Sequence, residues 1–116
     1  MKMLVVEDEP LLAMLLEENL SELGHEIAGV AATVEQATAL LDAGPVDFAL
    51  LDFSLGSETN STPVALRLRE EGVPFIYLSG HRTLSEEGDI PPAPLLTKPF
   101  SLDQLDNAIR ELKLAA

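Results

Sequence analysis

Cysteine and tryptophan are absent from this chain of 116 residues. Without cysteine there is no disulfide, no thiolate zinc site and no thiol nucleophile, and the chain fits a reducing compartment. Basic residues are scarce, 7 Lys+Arg against 20 Asp+Glu, for a formal net charge of −13. That balance argues against direct nucleic-acid binding, which needs basic groups to displace the counterions of the phosphates. It argues equally against an anionic membrane surface. Long apolar runs are lacking too. After Met1-Lys2-Met3 only Leu4, Val5 and Val6 precede the acidic Glu7-Asp8-Glu9, which is too short for the apolar region of a secretory signal. Nothing approaches the roughly 18 apolar residues of a membrane span, so a cytoplasmic location is expected. What the chain does have is apolar material, 47% of its residues. That is too much for a disordered acidic tail and enough for the core of one domain over residues 1–116.

Short apolar runs alternate with segments of helical period. Residues 3–6 show no polar alternation, the pattern of a strand buried on both faces. Pro10 suits a helix's first turn. Leu12, Leu16, Leu20 and Leu23 then recur at helical spacing until Gly24 stops the helix. Residues 27–31 form a second strand. Thr33 and Gln36 have the spacing of a capping box, ahead of a helix with Val34, Ala37, Leu40 and Leu41 inward. Residues 48–51 are a third apolar run, followed by a polar loop over 54–61. Thr62-Pro63 reads as a cap with proline at the first helical position, and Gly72 as the stop. Residues 75–78 and 95–97 are the fourth and fifth strands. Between them, a short helix is expected at 83–87, limited by Gly88, Pro91, Pro92 and Pro94. Ser101 opens a last helix with Leu102, Leu105, Ile109 and Leu112 on one stripe, and a single domain over 1–116 is expected. Five βα units in series predict an α/β fold, a doubly wound parallel sheet with helices on both faces and right-handed crossovers. The strand order 2-1-3-4-5 brings the acidic pair beside Asp52.

Open parallel sheets gather functional groups beyond the C-terminal ends of their strands, at the switch point in strand order. The strand ends here are Glu7-Asp8, Asp52, Ser79 and Lys98-Pro99. Two carboxylates about 4 Å apart repel by roughly 4 kcal/mol at an effective dielectric of ~20, so three need counter-charge. Lys98 brings one positive charge, and a hard divalent cation with oxygen ligands would bring two more. Mg²⁺ is the expected ion; it commonly uses one or two carboxylates and leaves room for a phosphate. A carboxylate beside such an ion can itself accept a phosphoryl group. Singly, each residue has an ordinary structural role. The acidic run complements a helix dipole, Asp52 caps a turn, Ser79 opens a turn with Gly80, and Lys98 is solvated. Their shared position at strand ends makes them a site. Tyr77 reads as core, His81 as a solvated loop residue and His25 as a surface turn residue.

Four segments in this order, Val6-Glu7-Asp8-Glu9-Pro10, Leu50-Leu51-Asp52-Phe53-Ser54-Leu55-Gly56, residues 74–80 and Thr97-Lys98-Pro99-Phe100, resemble the receiver domain of two-component response regulators. The resemblance implies that Asp52 is the phosphoacceptor. It implies that Asp8 is a direct Mg²⁺ ligand, that Glu7 acts through water, and that the Ser54 backbone carbonyl completes the set. Ser79 would hydrogen-bond one phosphoryl oxygen and Lys98 would pair with another, and the Lys98-Pro99 bond would be cis. The implied partners are a sensor histidine kinase or a phosphotransfer protein, and a downstream protein. The implied chemistry is self-phosphorylation and slow self-dephosphorylation rather than enzymatic turnover. One position departs from the family pattern, because Leu95 stands where receivers carry a Tyr or Phe switch. The segment Pro74-Phe-Ile-Tyr-Leu-Ser-Gly80 resembles a branch, often stand-alone, with a Phe-Ala-Thr-Gly-like motif and no switch aromatic.

Other functions fit the residues less well. A phosphatase of the haloacid-dehalogenase type uses Asp-x-Asp, and Asp52-Phe53-Ser54 lacks the second acid. A flavin carrier binds phosphate in its first βα loop, where Glu7-Asp8-Glu9-Pro10 repels it. A phosphorylation-independent interaction module on the same fold is the alternative that Leu95 keeps open.

Overall fold

The computed structural model describes residues 1–52, 54–55, 59–79, 93–97 and 100–115. Its elements are β1 (Lys2–Val6), α1 (Pro10–Glu22), β2 (Glu26–Ala31), α2 (Val34–Ala43), β3 (Phe48–Asp52), α3 (Thr62–Glu70), β4 (Phe75–Ser79), β5 (Leu95–Thr97) and α4 (Leu102–Ala115). The five strands pair in parallel in the order β2-β1-β3-β4-β5, as expected from the sequence. The helix expected at 83–87 lies outside the described residues. Within the polar loop that follows β3, Ser54–Leu55 and Thr59–Asn60 pair as a short antiparallel ribbon, which has no apolar alternation to announce it.

Sheet pleating sends alternate side chains to opposite faces. Leu4, Val6, Ala49, Leu51, Phe75 and Tyr77 pack against Ala37 and Leu41 of α2 and Val64, Ala65 and Leu68 of α3. Met3, Val5, Leu50, Ile76 and Leu78 pack against Leu16 and Leu20 of α1 and Leu105 and Ile109 of α4. Burial on both faces explains why β1, β3 and β4 are unbroken apolar runs. No helix among the described residues is long and apolar enough to cross a membrane.

The helix ends follow local chemistry. The Thr33 Oγ1 accepts from the Gln36 amide at 3.1 Å, and the Gln36 Oε1 accepts from the Ala32 amide at 2.7 Å. Ser101 and Gln104 form a full reciprocal capping box, at 3.1 and 2.8 Å. Gly24 and Gly72, with φ of +90° and +72°, take the left-handed conformation just beyond α1 and α3. Two local expectations need correction. The N-cap of α3 is Ser61, not Thr62: Thr62 is already helical and Pro63 sits one place further in, where its fixed φ is equally compatible. His25 is partly buried rather than a surface turn residue, because its Nδ1 lies 3.3 Å from the Met1 amine.

Tyr77 is 1% exposed, and burial pushes its phenol from the ordinary 10.0 up to about 12. The folded state therefore holds the phenolic proton more tightly than the unfolded chain. This contribution to stability is complete below pH 10 and is lost as pH rises from about 10 toward 12. Tyr77 is the chain's single tyrosine, so an ultraviolet titration reads it alone. Ionisation is expected near pH 12 in the folded protein and near 10 in urea. Coincident curves would contradict its burial.

Candidate functional site

The site is built at the C-terminal ends of β1 and β3. The Glu7 amide donates to the Ala31 carbonyl at 2.8 Å, extending the β1–β2 ladder one residue past the strand. The Glu7 Oε2 accepts from the Glu9 amide at 3.2 Å, which turns the carboxylate back over its own loop. Pro10 begins α1 at once, so Glu7, Asp8 and Glu9 are held in a tight link between strand and helix. Asp52 is the last residue of β3, the neighbour of β1. The result is that Glu7, Asp8 and Asp52 each bring a carboxylate oxygen within 4.8 Å of the others. Glu7 is 2% and Asp52 7% exposed, while Asp8 faces solvent.

Ser79 ends β4 and is also buried. Since Asp52 lies in register with Leu78, Ser79 stands one residue further toward the same rim. Ser54 lies in the ribbon two residues beyond Asp52. Lys98 and Pro99, with the proposed cis bond between them, and Gly80 and His81 lie outside the described residues. The contact between the Glu9 amide and Glu7 was not read from the sequence, and neither was the exposure of Leu11, Met14 and Leu15 on the first turns of α1. The uninterrupted apolar run from Pro10 to Leu16 was the available signal for the second, since one helix face cannot bury all of it.

The donor set tests whether a metal fits. Each pair of these three carboxylates repels by about 4 kcal/mol at an effective dielectric of ~20. All their donors are hard oxygens, two of them are desolvated, and the third opens to solvent. That combination suits a small divalent cation that keeps part of its water shell, as Mg²⁺ does.

The model of the response regulator receiver domain matches residues 3–110. This chain belongs to that family. The receiver is 35% identical over 116 residues to the transcriptional regulatory protein TcrA of Mycobacterium tuberculosis, an alignment taking in 96% of this chain and 45% of TcrA. The solution structure of SdrG from Sphingomonas melonis Fr1 is similar at 38% identity and a TM-score of 0.83, over 97% of this chain and 95% of SdrG. PhyR from Bartonella quintana, an anti-anti-sigma factor, is similar at 28% identity and a TM-score of 0.84, over 98% of this chain and 47% of PhyR. The receiver thus spans less than half the length of TcrA and of that PhyR. Receivers generally bind Mg²⁺ at an acidic pocket and interact with histidine kinases or phosphotransfer proteins in phosphorelay signalling.

Mg²⁺ is expected to stabilise the folded receiver by mass action. At about ten times its Kd the linkage amounts to about 1.4 kcal/mol, a rise of several degrees in Tm for a domain of this size. Asp8→Asn removes the solvent-facing carboxylate of the cluster and should lose most of that rise. Equal shifts in both proteins would place the ion elsewhere.

Proposed function

We propose that this receiver accepts a phosphoryl group on Asp52 from the phosphohistidine of a sensor histidine kinase or phosphotransfer protein, in a cytoplasmic phosphorelay. The observation that carries this reading is the convergence of Glu7, Asp8 and Asp52 at one strand rim. Asp8 and Asp52 would hold Mg²⁺ directly, with Glu7 through water and the Ser54 backbone carbonyl as the last protein ligand. When bound, the ion offsets the negative charge gathered by the carboxylates and the phosphoryl oxygens.

An Asp52 carboxylate oxygen then donates an electron pair to phosphorus, in line with the departing imidazole nitrogen. The P–O bond forms as the P–N bond breaks, and the electron pair of that bond stays on the imidazole. The Ser79 hydroxyl donates a hydrogen bond to one phosphoryl oxygen, and Lys98 pairs with another. Water later hydrolyses the acyl phosphate, so the cycle is one of self-phosphorylation and slow self-dephosphorylation rather than turnover of a separate substrate. Leu11, Met14 and Leu15, exposed immediately beyond the acidic loop, offer apolar footing to a macromolecular donor. Output is by protein contact or onward phosphotransfer, in keeping with the net charge of −13, which disfavours direct nucleic-acid binding.

Leu95, without a ring, favours the second reading, an interaction module that works without phosphorylation. Intact mass after incubation with acetyl phosphate separates the two. The first reading requires a gain of one phosphoryl group with Mg²⁺ and none without it; an unchanged mass in both would leave the second.

A further inference from the structure

We infer that Ser61 is a positioning residue for the metal site, acting through a two-position link between α3 and the short ribbon that follows β3. The inference rests on the proposed reading of the Ser54 carbonyl as a metal ligand, and it names a residue that sets where that carbonyl stands. Ser61 is fully buried, and its Oγ has no hydrogen-bond partner. It is the N-cap of α3, where a serine hydroxyl ordinarily accepts from the amide two or three places on. The second place is Pro63, which has no N–H, so only the Val64 amide remains. The Ser61 backbone, at φ −86° and ψ 10°, is not in the extended conformation of an ordinary cap, and no side-chain cap bond forms. Thr33 at the start of α2 shows the contrast. Its backbone is extended, at φ −135° and ψ 163°, and its hydroxyl accepts from the Gln36 amide.

The unpartnered hydroxyl sits between a fixed element and a light one. On the helix side the Ser61 carbonyl accepts from the Ala65 amide at 2.9 Å, and Val64, Ala65 and Leu68 anchor α3 on the sheet. On the other side Asn60 pairs with Ser54 and Thr59 with Leu55, in a ribbon of two residues per arm. So short a ribbon holds its own position weakly. Turning the Ser61 backbone toward the extended conformation presents its Oγ to the Val64 amide, which has no acceptor within the helix. The same turn moves Asn60 relative to α3, and backbone pairing makes Ser54 follow. A buried hydroxyl without a partner is unfavourable, so the capped position gains a bond that the uncapped one lacks. A ligand that draws the Ser54 carbonyl toward Asp52 is favoured by that gain. Ser61 thus contributes to the affinity for Mg²⁺ without touching the ion.

The test compares the native protein with Ser61→Ala. Without Mg²⁺, removing an unpartnered hydroxyl is expected to leave the urea midpoint equal to or above the native one, whereas losing a working cap would lower it. The Mg²⁺ Kd, read from amide resonances during titration, is expected to rise about three- to tenfold in Ser61→Ala. A merely structural role would not weaken ion binding while sparing stability. The native protein supplies a second readout that needs no variant. Saturating Mg²⁺ is expected to slow amide exchange at Val64 by about tenfold as the cap forms. A lowered Mg²⁺-free midpoint, an unchanged Kd in Ser61→Ala, or unchanged exchange at Val64 overturns the inference and leaves the reading of the metal site intact. A native protein that does not respond to Mg²⁺, or an equal response in Asp8→Asn, overturns that reading and the inference with it.

Discussion

Asp52→Asn is expected to reduce phosphoryl uptake to the level of the Mg²⁺-free control. The amide nitrogen is neutral and its lone pair is delocalised into the carbonyl, so it cannot replace a carboxylate oxygen as nucleophile toward phosphorus. The substitution is nearly isosteric and removes one of three clustered negative charges. The fold is therefore expected to hold, with the urea midpoint equal to or above that of the native protein in the absence of Mg²⁺. Loss of phosphorylation without loss of stability separates chemistry from folding. Intact mass under identical acetyl phosphate treatment checks it, and a full phosphoryl gain in the variant would remove Asp52 from the chemistry.

Leu50→Ala is expected to have the largest effect on stability. Leu50 is fully buried on the central strand β3 and packs with Leu16, Ile76 and Leu105 on the α1/α4 face. Truncation there forfeits transfer free energy and leaves a cavity in a close-packed layer, at a cost of about 2–5 kcal/mol. Against a total stability of roughly 5–15 kcal/mol, that is a large fraction. The urea midpoint should fall with the slope unchanged. Since Leu50 precedes Asp52 by two residues on the same strand, Mg²⁺ binding should weaken as well. A loss below about 1 kcal/mol would mean that the layer closes over the gap, in conflict with the tight packing described for it.

Much of this could be read from residues alone, for identifiable reasons. β1, β3 and β4 are buried on both faces, so their sequences are short unbroken apolar runs that no exposed strand would carry. The acidic residues directly follow those runs, and in a parallel sheet that fixes their rim. The helix start at Thr33 was legible because its capping chemistry is local. Elsewhere the deciding interaction is not local. His25 looked like a turn residue because its partner is the Met1 amine, 24 positions away. The start of α3 was misplaced by one residue because proline is compatible with either of two helical positions. The ribbon of Ser54–Leu55 and Thr59–Asn60 is held by backbone pairing of two-residue segments, too short for hydrophobic period to carry information. That Tyr77 stands opposite Leu95 and Ser79 opposite Thr97 required the β4–β5 register. Apolar pattern shows that these strands exist but not which residues stand opposite one another.

The central claim is that the phosphoryl group resides on Asp52, and locating it on the native chain is the most direct test. Borohydride reduction after Mg²⁺ and acetyl phosphate treatment cleaves an aspartyl phosphate to a homoserine residue, which peptide mass spectrometry assigns to one position. The account predicts that conversion at position 52 and nowhere else, dependent on Mg²⁺. Conversion at another aspartate, or a stable phosphate mapped to Ser79 or His81, would contradict it.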